Sequence, residues 1–223
     1  MTISTSPVSG ISQKSGLPPF VTPASQYIVG RSYGSLVPGS SRTTTNTNVM
    51  TSDLMYGVIG FLNAPVNISA MGFRTSSSNA SAGASVKFAI YNLDSGLNPT
   101  TLIQKTTTGV AVTDSAISTA FSQTLDGVAT LQPGNYLFCI LPTFVTTAAR
   151  TSTYANTSPW EEYIGGTTLA NVLNGVPICG YTATAVYATG FPDTFTANSA
   201  ATAITGTASS AGNQTPFLAF TAA

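Results

Sequence analysis

The chain contains no histidine. That removes the side chain that most often moves protons near neutral pH. Neither a Ser-His-Asp nor a Cys-His arrangement can be built without it. Two cysteines without imidazole partners do not make a thiolate zinc site either. Charge is almost as scarce. Lys, Arg, Asp and Glu make up 6% of the 223 residues, and seven cations balance seven acids. Ordinary domains carry about 25% charged residues. The Lys and Arg residues are scattered singly from Lys14 to Arg150. No basic face exists for a phosphate backbone, so nucleic acid is not expected as a partner. No apolar run approaches the roughly 20 residues of a membrane-spanning helix. The longest, "NYLFCILPTFV", is interrupted by Pro142, and membrane insertion is not expected. The N-terminus, "MTISTSPVSGISQKSG", has neither a basic stretch nor an apolar one, so it does not read as a signal peptide. Synthesis in a cytosol is the expectation.

What remains is 43% hydrophobic residues set among Thr, Ser, Ala, Asn and Gly. Disorder needs low hydrophobicity and high net charge, and this chain has neither. It folds, with a surface of hydroxyls and amides. Residues 1–25 hold Pro7, Pro18, Pro19 and Pro23 with little that could bury itself. They read as an extended arm. From residue 26 to 223 the pattern is one domain of short strands. Strands are expected at 26–30, 41–50, 53–62, 66–75, 101–109, 119–125, 176–187 and 215–222, with at best two helical turns at 168–175. In "VKFAIYN", Val86, Phe88 and Ile90 alternate with Lys87, Ala89 and Tyr91, which predicts one core face and one half-exposed face. In "LQPGNYLFCILP", Tyr136, Phe138 and Ile140 oppose Leu137, Cys139 and Leu141, which predicts a central strand covered on both sides. Turn signals every 8 to 12 residues or so indicate an all-β antiparallel sandwich or jelly roll. Cys139 and Cys179 read as buried thiols, with a disulfide as the alternative.

Three stretches invite a chemical reading. "NLDSGLNPT" (92–100) spaces Asn92, Asp94 and Asn98 as a calcium loop would, but it has one carboxylate and no closing acid. The competing reading is a turn, with Asp94 and Asn98 capping backbone groups, Gly96 at positive φ, and Pro99 holding Asn98 extended. "TSPWEEYIGG" (157–166) gathers Trp160, the sole Trp, with Glu161, Glu162 and Tyr163. Aromatic faces and carboxylates suit a glycan, while a lone Trp equally suits a loop anchor or a subunit contact. The seven acids Asp53, Asp94, Asp114, Asp126, Glu161, Glu162 and Asp193 mostly sit beside turn residues, so a paired-carboxylate hydrolase is not expected. No enzyme activity, cofactor or metal is expected. Sequons at Asn67, Asn79, Asn156 and Asn213 match what so Asn-, Ser- and Thr-rich a chain produces by chance.

Taken in order, "MYGVIGFLNAPVNISAMGFRT", "VKFAIYN", "LQPGNYLFCI", "FPDTFTAN" and "TPFLAF" resemble the β-sandwich (jelly-roll) domain of tailed-bacteriophage head-fibre, tail-fibre and decoration-type proteins. The resemblance runs from about Tyr27 to the end. Within it, Lys87 stands where Arg is common and Phe138 where Trp is common. It implies a homotrimer mounted on the virion and no enzyme. Two uses follow. One is a decoration (cement) protein or short head fibre, anchored to other virion proteins through the arm, with Pro7, Leu17, Pro18, Pro19 and Phe20 as anchoring candidates. The other is a short tail fibre whose Trp160 loop meets a host surface glycan. An arm of about 25 residues with no shaft favours the first.

Overall fold

A computed structural model of the chain describes residues 27–33, 42–76, 83–113, 116, 118–145, 150–154, 178–194, 201–205 and 215–223. Among these residues there are strands, bridges and turns and no helix. The arm at 1–25 and the helical turns expected at 168–175 lie outside them.

The strands are β1 (Ser32–Tyr33), β2 (Arg42–Val49), β3 (Leu54–Leu62), β4 (Val66–Arg74), β5 (Ala84–Leu93), β6 (Pro99–Lys105) and β7 (Val110–Val112), then β8 (Ala120–Leu131), β9 (Gly134–Thr143), β10 (Arg150–Tyr154), β11 (Ile178–Thr184), β12 (Ala201–Thr205) and β13 (Leu218–Ala222). The smaller sheet has the order β1-β13-β4-β8, and the larger one β12-β11-β3-β9-β5-β6, with β7 also paired to β5. Strands β2 and β10 make a separate pair. Neighbours within both sheets are antiparallel. The molecule is an all-β sandwich, as the short apolar strands and regular turn signals indicate.

The two sheets enclose one apolar core. Ile68, Phe73, Leu125, Leu131, Leu218 and Phe220 come from the smaller sheet; Val58, Phe88, Ile90, Phe138 and Ile140 come from the larger. Phe138 and Phe220 stack across the gap at 6.2 Å and 12°, and Phe73 meets Phe88 at 6.1 Å. Tyr27 joins this core at its edge, 4.9 Å from the Tyr33 ring and 5.5 Å from Phe220. Tyr27 is the first described residue, and it already packs against the sandwich.

A second apolar layer lies on the outer face of the larger sheet, built on Met55, Ile59, Ala89, Tyr91, Leu137, Cys139 and Leu141. Strand β9 divides between the two layers as its alternation predicts. Strand β5 does not. Lys87 is 9% exposed and Ala89 and Tyr91 are 0% exposed, so the expectation of a half-exposed face is corrected. The reason is position: β5 lies between β9 and the β6 and β7 strands, and a loop packs over its outer face. Cys139 belongs to the outer layer and Cys179 to the inner one, and both are free thiols. They point to opposite faces of one sheet and cannot pair.

Two further expectations are corrected. Residues 27–30 form no strand; Arg31 N donates to Ile28 O in a turn, with Gly30 at φ 77°. The strand of 119–125 does not stop at Asp126-Gly127. It continues to Leu131 through a bulge, where Ile68↔Ala129 gives way to Ala70↔Thr124. The register also assigns the two ends of the sandwich. Leu62↔Gly134, Val66↔Leu131 and Ala222↔Ile68 gather at one end, where Gly30 N donates to Ala222 O. The first described residues lie there. The Thr75↔Thr151 bridge to the β2–β10 pair lies at the other end.

Strands β11 and β3 approach too closely for a side chain at Gly180, whose added Cβ would collide with the Gly57 carbonyl. Gly180→Ala is expected to cost about 2–3 kcal/mol through forced strand separation, read as a lowered urea midpoint. A midpoint equal to the parent's would refute the close packing.

Candidate functional site

Of the residues singled out in the sequence, Pro7, Leu17, Pro18, Pro19 and Phe20 and the cluster Trp160, Glu161, Glu162 and Tyr163 lie outside the described residues. The loop around Asp94 is well described, and it is a turn. Asp94 Oδ1 accepts hydrogen bonds from Gly96 N and Asn98 N, each at 2.8 Å, and Asn98 Nδ2 reaches both carboxylate oxygens at 3.2 Å. These donors, Asn98 foremost, hold the carboxyl below its ordinary range. They engage Oδ1 three times and Oδ2 once, which commits this carboxylate to its own turn. The positive φ falls on Leu97, at 64°, and not on Gly96 as expected. Among the described residues no three of His, Cys, Asp and Glu gather as metal ligands.

The outer face of the larger sheet carries a strap, residues 185–194. It leaves β11 beside β3, where Ala185 N donates to Asp53 O and Tyr187 N to Asp53 Oδ1, the latter at 2.7 Å. The Tyr187 hydroxyl then meets Ser85 Oγ at 2.7 Å on β5. Lys87 Nζ, also on β5, donates to Tyr187 O at 2.9 Å and lies 4.4 Å from the centre of the Tyr187 ring. A nearly buried ammonium is thus held by a carbonyl and an aromatic face. Farther along, Phe191 packs edge-on against Tyr91, whose hydroxyl donates to Pro192 O at 2.6 Å. The strap ends at β6, where Leu102 N donates to Asp193 O and Thr194 bridges Thr101. Lys105 and Asp193 add a 3.4 Å surface ion pair, of a kind that contributes little. The "FPDT" stretch is therefore a clasp across the sheet, and Lys87 and Tyr187 serve packing.

The smaller sheet is different: among the described residues no second apolar layer covers its outer face, and alternate residues of β8 are exposed. Alternation turns Phe73, Leu218 and Phe220 into the core, so their neighbours face outward. Those neighbours are small: Gly72 on β4, Ala120 and Ser122 on β8, Ala219 and Thr221 on β13, and Ser32 on β1. They line a groove of about 310 Å³ that Phe217 and Arg74 also border. Gly72 makes the floor low. A Cβ there would lie 2.7 Å from the Phe121 carbonyl oxygen and 3.1 Å from the Ser122 Cβ. Ser32 Oγ and Thr221 Oγ1 stand 2.9 Å apart at one side. Arg74 supplies the charge, and its Nε is buried without a hydrogen-bond partner.

Sequence reasoning passed over Arg74. The signal was present but weak: a single cation closing a strand whose other outward residues are small. Only pairing β4 with β8 and β13 assembles the groove.

No protein-family model matches the chain, and neither a curated protein nor a solved structure matches it.

Two measurements probe this chemistry. Tyr187→Phe removes the hydroxyl that meets Ser85 and should cost about 1 kcal/mol. Amide exchange at residues 185–194 should accelerate while β9 stays protected; unchanged exchange would show that the strap is held otherwise. Tyr91 gives a pH signature. Burial, then Cys139 and Asp193, push its phenol well above the ordinary 10.0. A raised folded value means the contribution is complete below pH 10 and is lost as the pH rises above it. Tyrosinate absorbance should therefore show at least one phenol that ionises only with unfolding. Tyr91→Phe should remove that component, and a titration unchanged by the substitution would refute the assignment.

Proposed function

We propose that this chain is a non-enzymatic bacteriophage virion protein, a trimeric jelly-roll decoration protein or short head fibre attached to the capsid by its N-terminal arm. The observation that carries this reading is the strand order. Numbered along the chain, β1, β3, β4, β5, β6, β8, β9 and β13 are strands one to eight. The smaller sheet then reads one, eight, three, six, and the larger contains two, seven, four, five. Two interlocked Greek keys have this order, which supports a jelly roll, an architecture of viral capsid and lectin domains. The remaining strands are additions, with β11 and β12 widening the larger sheet beyond strand two.

Polarity supports the anchoring role. The first described residues, from Tyr27, lie at the end that holds Leu62, Val66, Leu131 and Gly134, away from the Thr75–Thr151 bridge. An arm at that end can hold a surface while the other end faces outward. Three arms acting together would hold where one binds weakly. The second reading is a short tail fibre that recognises a host surface glycan. It is favoured by one observation, the open groove beside Arg74.

Deleting residues 1–25 should leave a folded, trimeric sandwich that no longer joins the particle, as read by circular dichroism, light scattering and particle composition. Full incorporation of the shortened protein would refute the anchor. A monomer at every concentration would refute the trimer.

A further inference from the structure

The charges in this chain are few enough to account for individually. Among the described residues the acids are Asp53, Asp94, Asp126 and Asp193. Asp53 accepts from Tyr187 N, Asp94 from its own turn, Asp126 from Thr107 N at 3.0 Å, and Asp193 pairs with Lys105. Each carboxylate is committed within the fold. Arg74 is not paired with any of them; the Lys105–Asp193 contact is the one ion pair among the described residues. Arg74 Nε is also buried, with no hydrogen-bond partner among the described residues. A guanidinium presents a fixed fork of donors that fits a carboxylate in two-point contact. Because Nε is sealed from solvent, the donors that an anion in the groove would meet are the terminal nitrogens of the same guanidinium, which borders the groove.

The surroundings narrow that anion. The groove holds about 310 Å³, near the lower limit of small-molecule sites. That is room for roughly one sugar ring. Its lining is mostly apolar, with hydroxyls of Ser32, Ser122 and Thr221 at the sides and Phe217 as a wall. Hydroxyls suit ring hydroxyls, and an aromatic wall suits a pyranose C–H face. A bare inorganic anion would leave the apolar part unused. We propose that the groove over Gly72 binds a pyranose bearing a carboxylate, with Arg74 as the carboxylate's partner and Phe217 against the ring. The protein would then select acidic over neutral saccharides. This holds whether or not residues 1–25 anchor the chain to a particle.

The test uses the purified full-length chain with D-glucuronate, D-glucose and acetate as probes, followed by amide NMR shifts of Gly72, Ser122 and Thr221. Glucuronate and glucose differ only at C6. Saturable shifts are expected at these three amides with glucuronate in the millimolar range, at least about tenfold weaker binding with glucose, and weaker binding again with acetate. Arg74→Gln should weaken glucuronate about tenfold or more, as loss of a charge-assisted hydrogen bond does, and Arg74→Lys should restore part of it. Ala219→Leu fills the groove from its outer face without touching Arg74 and should abolish binding with the thermal midpoint unchanged. Three results would overturn the proposal: equal binding of glucose and glucuronate, acetate as tight as glucuronate, or glucuronate binding that survives both Arg74→Gln and Ala219→Leu. Because no particle is involved, these outcomes are independent of the arm deletion.

Discussion

Strand β9 is buried on both faces, and that constraint organises the molecule. Leu137, Phe138, Cys139, Ile140 and Leu141 are all sealed from solvent. A strand of that kind cannot sit in a sheet with one wet face. It needs the second sheet on one side, which brings Phe220 against Phe138, and a covering layer on the other. The strap from Ala185 to Thr194 provides part of that layer. Its polar backbone is satisfied by Asp53, Lys87, Tyr91 and Leu102, so covering the sheet does not strand buried carbonyls and amides.

The same economy governs charge. With 6% ionisable residues, the fold uses carboxylates chiefly as acceptors for backbone amides: Asp53 for the strap, Asp94 for the β5–β6 turn, Asp126 for Thr107. Hydrogen bonds of this type to an ionised acceptor are stronger than neutral ones. Lys87 follows the same logic with the sign reversed, since a carbonyl and a ring hold its ammonium. Arg74 stands outside this pattern. It borders a hollow that exists because Gly72 has no side chain and its neighbours across β8 and β13 are small.

The two sheets thus have different outer faces. The larger one is clasped and apolar beneath its clasp. The smaller one has no such cover among the described residues, is polar at its margins, and carries Arg74 at the groove. If residues 1–25 do anchor the chain as proposed, the groove on the smaller sheet leaves attachment and recognition to different parts of one small domain. A neutral, hydroxyl-rich surface would make attachment largely insensitive to salt, whereas a carboxylate held by Arg74 in the groove would be released more easily as salt rises.

Much of the architecture was legible in the residues themselves. Alternation in 135–141 announced the two-faced strand, turn chemistry at Asp94, Asn98 and Pro99 announced the loop, and scarce charge with no histidine narrowed the chemistry. These are local properties, set by side-chain period, backbone preference and composition. Burial of β5 on both faces was not local. Lys87 and Tyr91 look half exposed until residues about 100 positions later fold over them. The positive φ at Leu97 was likewise decided by the closed turn, because Gly96 could have taken it. Gly72, Arg74, Ser122, Ala219 and Thr221 come from three strands, each unremarkable alone. Composition and period determined that this chain would be a charge-poor β-sandwich of zero net charge. Only strand pairing decided which small residues would lie side by side next to Arg74, since register is a property of two strands and not of one.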